Sequence, residues 1–256
     1  KNSMIMKNRL LTLTLSIAVS SLAYGQYSGQ IQTTMGGGGA AQGTTAGAIA
    51  TLLGPISEAS QKRNIEWESF AGSPYTDNEY KLAELFYKDE KVGPVYYRYN
   101  ALNEEIEIKE NPMDEGVRGL SRDKNIILKV DGNPMLFKTF IDKEGKTLNG
   151  YLTQLVDGEN FDLYKRIRVK FTEGSKAVNS FVKATPSRFS QFEEYYIQKT
   201  GVDRIDELVP KKGKLVKQMD SDQKDGLKAF IKENDLDLDN DKDLMSIILY
   251  MDRNAG

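Results

Sequence analysis

The amino-acid sequence predicts a mainly β fold, an antiparallel sandwich or open barrel, followed by a small C-terminal helical module. Between residues 65 and 205, apolar residues recur at every second position, which is the period of a half-buried strand. Turn-forming Gly, Asp, Asn and Pro residues separate these runs without an intervening helical pattern, so an antiparallel sheet is favoured. In residues 206–256 the apolar period lengthens to that of short amphipathic helices.

The first 25 residues have the three parts of a secretory signal peptide. Lys7 and Arg9 precede an apolar run at residues 10–22, and small residues precede a predicted cleavage site after Gly25. The apolar run is too short to span a bilayer, and no later segment approaches the roughly 18 apolar residues of a membrane span. We therefore expect an exported protein, periplasmic or outer-membrane-associated, without a transmembrane span in the mature chain.

Composition limits the chemistry of the chain, which contains no cysteine and no histidine. These absences exclude disulfides, Ser-His-Asp and Cys-His hydrolysis, and zinc sites built on imidazole. Removing residues 1–25 takes away three basic residues and no acid, so the 35 basic residues fall to 32 against 37 acids, a net charge of −5. This charge argues against a nucleic-acid partner. We expect no enzymatic activity, no catalytic or metal-binding residues, and no cofactor.

Residues 26–64 are predicted to form a flexible leader rich in Gly and Ala. Residues 35–55 carry no charge and include four consecutive glycines, whose backbone entropy opposes helix and strand alike. The alternative is a segment that becomes ordered on a partner, because four residues could form one apolar helical face: Ile49, Leu52, Leu53 and Ile56.

The predicted β domain, residues 65–205, begins with strands that can be placed by alternation. In residues 95–100, Val95, Tyr97 and Tyr99 fall on one face and the residues between them on the other. Residues 105–109 alternate isoleucine with charged residues in the same way. These two runs predict adjacent strands with one face in a core.

Later strands of this domain are separated by turns of recognisable chemistry. Residues 131–134 and 157–158 contain Asp-Gly pairs, which favour hairpin turns. In the strand after the second turn, Ile167, Val169 and Phe171 point one way and the basic residues the other. Residues 188–199 also suit a helix, but we predict them as the last strand.

The tyrosines at residues 96–99 are a candidate binding surface. They could form an aromatic platform for sugar rings or for a partner protein. Alternating tyrosines are also ordinary strand residues, with one face in the core. The two interpretations differ in whether Tyr97 is exposed.

Two charged features later in the chain have alternative explanations. The basic strand at residues 165–170 could bind an anionic envelope component such as lipopolysaccharide, or it could pair across the sheet with Glu105 and Glu107. Glu193 and Glu194 are adjacent in a strand and point to opposite faces, so they are poorly placed to act as a catalytic pair.

The C-terminal module contains an aspartate ladder, Asp235 to Asp243, between two predicted helices. A calcium loop needs oxygen ligands at positions 1, 3 and 5, glycine at 6 and an acid at 12. No register starting at an aspartate of the ladder supplies both the glycine and the final acid. We therefore predict a helix-to-helix turn, with Asp239 or Asn240 capping the second helix, and leave weak divalent binding open. The apolar faces of the two helices are Leu227, Phe230 and Ile231, and Leu244, Ile247, Ile248 and Met251.

Several motifs together resemble a family of uncharacterised exported proteins of the Bacteroidetes. They are GSPY at residues 72–75, VYYRYN at 95–100 followed by EIEIKE, and the two-helix ending at 208–252. The resemblance covers roughly residues 65–252 and excludes the predicted leader. It implies export, β architecture and a helical tail, and it transfers no catalytic residue.

These observations predict a non-enzymatic protein of the cell envelope that binds a protein partner, for example as an accessory subunit of an envelope complex. The leader at residues 26–60 is the predicted partner-binding segment, so its deletion should abolish association and leave the fold intact. The alternative is a glycan-binding module that uses exposed tyrosines around Tyr97. A hydrolase based on carboxylates is the third hypothesis, and no pair of acids is convincingly placed for it.

Overall fold

A computed structural model describes residues 40–57, 70–175 and 183–255, which belong to one compact unit, Thr34–Gly256. The signal peptide predicted at residues 1–25 lies outside the described residues. The fold is mainly β, as predicted, with a helical segment at the C-terminus. The strands are β1 (Leu53–Gly54), β2 (Lys81–Tyr87), β3 (Glu90–Asn100), β4 (Glu105–Lys109), β5 (Arg118–Leu120), β6 (Ile126–Val130), β7 (Asn133–Ile141), β8 (Thr147–Val156), β9 (Phe161–Thr172), β10 (Arg188–Lys199) and β11 (Ile205–Leu208). The helices are α1 (Ala40–Leu52), α2 (Lys212–Val216), α3 (Lys224–Glu233) and α4 (Asp241–Asn254).

The strands form one 11-stranded sheet that curls until part of it closes on itself. Its order is β1-β5-β4-β3-β2-β6-β7-β11-β10-β9-β8, and β8 also pairs with β7. Strands β7 to β11 therefore form a ring. Among the pairings between these described strands, only the one between β7 and β11 is parallel, and it consists of a single register pair, Ile141 with Asp206. We call this junction the seam.

The predicted hairpin between β6 and β7 is present, and its turn explains the register. Asp131 and Gly132 have positive φ angles of 49° and 87°, as a two-residue type I′ turn requires. Val130 and Asn133 are consequently register partners that close the hairpin.

Side chains on both faces of the ring strands are buried. One residue or more from each ring strand fills the interior: Leu136, Phe140, Leu152, Tyr164, Tyr196 and Ile205. Neighbouring residues point outwards, so Leu163 and Tyr195 pack against the C-terminal helices instead. A separate cluster covers β2 to β6 and contains Val95, Tyr97 and Tyr99, as their alternation predicted.

The prediction of a flexible leader is wrong for residues 40–57; the remainder of residues 26–64 lies outside the described residues. Ile49, Leu52 and Leu53 are buried in the same cluster as β3. The Arg118 guanidinium donates hydrogen bonds to the carbonyl oxygens of Ala50 (3.1 Å) and Leu53 (2.8 Å). Packing on the sheet stabilises a helix that its own sequence would not.

Gly93 provides the space into which α1 docks. A Cβ at this position would lie 2.6 Å from Cγ2 of Thr45, which is closer than real contacts allow. Gly93 also has a φ of 155°, a conformation that other residues rarely adopt. Helix α1 can therefore approach β3 closely at this point.

The aspartate ladder is a helix-to-helix turn, as predicted. Asp235 has a positive φ of 47° directly after α3. Leu236 and Leu238 pack against the helical cluster. The Asn240 side chain caps α4 by accepting hydrogen bonds from the backbone N–H groups of Lys242 (2.9 Å) and Asp243 (3.3 Å).

The end of α4 is fixed to the β8–β9 turn by one carboxylate, which the sequence did not reveal. Asp252 accepts hydrogen bonds from the backbone N–H groups of Glu159 (3.2 Å), Asn160 (2.6 Å) and Phe161 (2.9 Å). Burial alone would raise the pKa of Asp252, but these three donors outweigh it, so the pKa lies below its ordinary value. None of the described helices is long and apolar enough to cross a membrane.

Replacing Ile49 by alanine should lower the free energy of unfolding by about 2–5 kcal/mol, because it opens a cavity between α1 and β3. Thr51→Ala, two residues later at an exposed position of the same helix, should change it by no more than about 0.5 kcal/mol. Urea denaturation followed by circular dichroism measures both. Equal stability of the two variants would show that α1 does not contribute to the folded domain.

Asp252→Asn should lower the free energy of unfolding by about 1–3 kcal/mol at pH 7, because the three N–H groups lose a charged acceptor. Since the folded-state pKa of Asp252 is depressed, its contribution is complete above the ordinary pKa of about 4 and disappears as the pH falls through the lower folded value. The difference from wild type should therefore narrow below about pH 4. Asp222→Asn, at an exposed position, is the matched control and should change the free energy of unfolding at pH 7 by no more than about 0.5 kcal/mol.

Candidate functional site

Tyr97 and Tyr99 of the candidate surface are ordinary strand residues with their side chains in the core, which is one of the two interpretations of the sequence. Tyr97 and Tyr99 are only 8% and 2% exposed, and their side chains belong to the core. Tyr99 packs edge-to-face on Tyr151, with ring centroids 6.0 Å apart. Burial raises the pKa of Tyr97 above its ordinary value. Two tyrosines of the candidate surface are therefore structural.

The opposite face of β3 carries a polar cluster around a buried carboxylate. Glu107 accepts hydrogen bonds from the hydroxyls of Tyr75 (3.0 Å) and Tyr80 (2.9 Å). Arg98 donates to it from Nε (3.1 Å) and Nη2 (2.7 Å), and its guanidinium lies 3.8 Å and 4.6 Å from the centroids of the same two rings. Burial and the negative charge of Glu107 raise the pKa of Tyr75 to about 12. This cluster holds the segment before β2 onto the sheet.

The basic strand is neutralised by acids, although the predicted partners are wrong. Lys165 pairs with Glu193 (2.9 Å) and Asp241 (2.7 Å). Glu105 instead accepts hydrogen bonds from the backbone and side chain of Ser57, and Glu107 lies in the tyrosine cluster. Strands β9 and β4 are not neighbours in the sheet, so these acids cannot reach the basic strand.

On the other face of β9, Arg166 joins two carboxylates at the ring interior. Its guanidinium pairs with Glu104 and with Glu194 (2.8 Å), and Arg168 pairs with Glu194 (3.0 Å). Burial alone would raise the pKa of Glu194, but the hydrogen bonds and charges of the two arginines outweigh it and hold the pKa below its usual range. Glu193 and Glu194 bind different partners on opposite faces, as their adjacency predicted.

A groove of about 1070 Å³ opens along the seam of the ring. We call it the seam groove and define it by six of its lining residues, which come from β7, from the loop before β6 and from the turn before β11: Arg122, Lys124, Lys138, Thr139, Phe140 and Arg204. It exists because β7 pairs with β6 only as far as Leu136 and with β11 only at Ile141. Between these points no strand of residues 40–57, 70–175 or 183–255 lies beside this edge of β7.

The floor of the seam groove is aromatic and held in place. Phe140 is 1% exposed, and its ring lies edge-on to Tyr196 at a centroid distance of 4.7 Å. The Arg166 guanidinium lies 5.0 Å from the centroid of the Phe140 ring. Because Arg166 is itself fixed between Glu104 and Glu194, the floor cannot easily rearrange.

The walls of the seam groove carry more positive than negative charge. Four basic residues and two acids line it: Arg122, Lys124, Lys138 and Arg204, with Asp123 and Asp203. Arg204 pairs with Asp206 (2.7 Å), and Arg122 donates to the carbonyl oxygens of Asn103 and Glu104. Lys124 and Lys138 form no ion pair with any other described residue. The groove can therefore attract an anionic group.

Metal binding has no comparable support. Among the residues that the structure describes, no group of three or more His, Cys, Asp or Glu side chains could hold an ion. In the aspartate ladder, Asp243 accepts a hydrogen bond from the backbone N–H of Asp237, and Asp241 accepts one from the Tyr195 hydroxyl. These carboxylates serve the turn and its docking on the sheet.

The chain matches no protein-family model, and no curated protein and no solved structure is similar to it. The resemblance to exported Bacteroidetes proteins stays a prediction from the sequence motifs. The geometry of the seam groove is the observation from which a function can be argued.

Arg166→Met should lower the free energy of unfolding by about 3–5 kcal/mol, because it leaves the carboxylates of Glu104 and Glu194 without their shared cation. Arg188→Met, at an exposed strand position, should change it by no more than about 0.5 kcal/mol. Adding Glu104→Gln and Glu194→Gln to Arg166→Met should restore part of the lost free energy of unfolding. A mutant cycle, with each variant measured by chemical denaturation, gives the coupling between these residues. If the losses in free energy of unfolding from the three substitutions simply added, Arg166 would not be coupled to the two carboxylates.

Proposed function

We propose that this chain is an exported, non-enzymatic protein of the cell envelope, periplasmic or outer-membrane-associated, and that it binds a protein partner as an accessory subunit of an envelope complex. The seam groove is the observation that carries the proposal. It combines two partly exposed apolar residues, Phe137 and Ile141, with charged residues at its walls, which is the general composition of an interface with an apolar centre and a polar rim. The partner is not a nucleic acid, since the mature chain is acidic.

The folded position of residues 40–57 changes which part of the chain we assign to the partner. Deletion of residues 26–60 would remove Ile49, Leu52 and Leu53 from the core and leave their cluster open to water. Loss of association after such a deletion would therefore report unfolding as well as lost contact. The seam groove replaces the leader as the proposed binding surface.

Glycan binding is the alternative function, and it would have to use the same groove. Tyr97 and Tyr99 are buried, whereas Phe137 in the groove is partly exposed and Lys124 lies exposed at the wall. A sugar that carries carboxylate or sulfate groups is the glycan class that these residues suit. Identifying the molecule that the protein retains from native envelopes distinguishes a protein ligand from a glycan.

Affinity capture from gently solubilised native envelopes tests the proposal. The tagged wild-type protein should retain a stoichiometric protein partner, and the Lys124→Glu/Lys138→Glu variant should retain at least tenfold less, because the groove becomes negatively charged. Lys170→Glu/Lys232→Glu makes the same charge change at exposed positions outside the groove and should retain the partner as wild type does.

Thermal unfolding of all three proteins shows whether the variants are folded. Equal capture by wild type and the groove variant would contradict the assignment of the groove. Retention of an acidic polysaccharide in place of a protein would favour the glycan alternative.

A further inference from the structure

We infer that the seam groove binds an extended, acidic segment of the partner, whose backbone pairs with the free edge of β7 at Thr139. This inference rests on the proposed function and specifies the chemistry of the ligand. Three features support it: a strand edge that no described strand pairs with, cations at both ends of that edge, and the partly exposed apolar residues Phe137 and Ile141 along it.

The unpaired edge follows from the pairing of β7. Successive residues of a strand direct their N–H and C=O groups to opposite neighbours. Asn133 closes the hairpin with β6, and Ile141 pairs with β11 on the same edge of β7. The backbone N–H and C=O groups of odd-numbered residues in β7 therefore point towards this edge. Thr139 is odd-numbered, and neither β6 nor β11 pairs with it. Its backbone N–H and C=O groups therefore face the groove.

The Pro134 position supports this assignment of sides. Proline has no N–H group, and Pro134 is register partner of Lys129 in the same antiparallel pair. Proline is tolerated at a position whose backbone groups do not hydrogen-bond to the neighbouring strand, so Pro134 does not direct its backbone groups towards β6. Even-numbered residues of β7 therefore direct their groups towards β8, which leaves the groove side to Thr139.

The length of the gap sets the length of the segment. Leu136 and Ile141 are the last and first paired residues on this edge, and at about 3.3 Å per residue they are about 16 Å apart. An extended chain covers this distance with about five residues. The gap thus suits a short strand rather than a helix.

The charges at the two ends of the gap indicate an acidic segment. Lys124 precedes β6, whose first residues lie opposite the Leu136 end, and Arg204 precedes β11 at the Ile141 end. Lys138 adds a third cation, with Nζ 5.6 Å from the centroid of the Tyr164 ring. Acidic side chains about four residues apart would reach both ends, while uncharged residues between them contact Phe137, which is partly exposed.

A free strand edge is a template for another strand, and natural proteins use this mode to recognise extended peptides. A simple anion would satisfy the cations but not the N–H and C=O groups of Thr139. A peptide satisfies both. An experiment that removes hydrogen-bonding groups from the ligand backbone and keeps its charge therefore distinguishes a peptide site from a simple anion site.

The probe is a fluorescein-labelled nonapeptide, acetyl-GEETVTEEG-amide, titrated with the full chain and followed by fluorescence polarisation. Wild type and Lys170→Glu/Lys232→Glu should bind it equally. Lys124→Glu/Arg204→Glu should weaken binding at least tenfold, and the same peptide with lysine in place of glutamate should not bind. The peptide N-methylated at alternate residues should bind at least tenfold more weakly, because it cannot pair with a strand edge.

Thr139→Pro removes the N–H group that faces the groove without removing a backbone hydrogen bond to β8, and it should also weaken binding at least tenfold. The N-methylated peptide gives the same information if this variant does not fold. Thr139→Val removes only the hydrogen bond from the Thr139 hydroxyl to Asn149 (2.6 Å) and should bind the peptide as wild type does. The inference would be overturned if the N-methylated peptide bound as tightly as the unmethylated one, or if inorganic polyphosphate displaced the peptide at the same concentration as unlabelled peptide does. Either result would indicate a site that recognises negative charge alone.

The outcomes separate this inference from the proposed function. Absence of peptide binding, together with partner capture that still depends on Lys124 and Lys138, would overturn the acidic strand and leave the proposed function standing. Peptide binding that ignores the groove variants would overturn the inference. Failure of both the peptide and the capture would remove the inference and the proposed function together.

Discussion

The pairing of β7 is the constraint on which the rest of the structure depends. A strand has two edges, and β7 serves three neighbours, so β6 and β11 must share one edge. This sharing joins the two parts of the fold, because Phe137 packs against the cluster under β3 while Leu136 and Phe140 fill the ring. It also makes the gap at Thr139 a geometric consequence of the topology. The seam groove is therefore built into the chain's path through the sheet.

Buried charge has a positioning role in both parts of the molecule. Glu107 gathers Arg98 and two tyrosines on one face of the sheet, and Arg166 gathers two acids at the ring interior. Pairs of this kind contribute little net free energy compared with apolar residues, because desolvation offsets their attraction. Breaking one of them is costly, however, so each pair fixes which segments meet. Arg166 in this way fixes the aromatic floor of the groove.

Local patterns predicted the parts of the fold that depend on neighbouring residues. The alternation of Val95, Tyr97 and Tyr99, the Asp131–Gly132 turn and the cap at Asn240 each follow from a few adjacent positions. The partners of the basic strand did not, because they depend on strand order, and strand order depends on contacts between distant residues. The docking of α1 was missed because its residues carry no charge and its glycines favour a flexible chain. The sequence did not predict that Lys124 and Lys138 line one groove, because only closure of the ring brings them together.

The single parallel pair at the seam has a consequence for the order of folding. Ile141 and Asp206 are separated by the three strands β8, β9 and β10, all of which join their neighbours through hairpins with much shorter loops. Contacts between distant residues form after local ones, because the entropy of closing a long loop must be overcome first. Hydrogen exchange during refolding should therefore protect the amides that hydrogen-bond between β9 and β10 before that of Ile141. Until β11 pairs with Ile141, β7 presents a longer open edge to its surroundings, and another chain could pair with that edge at this stage.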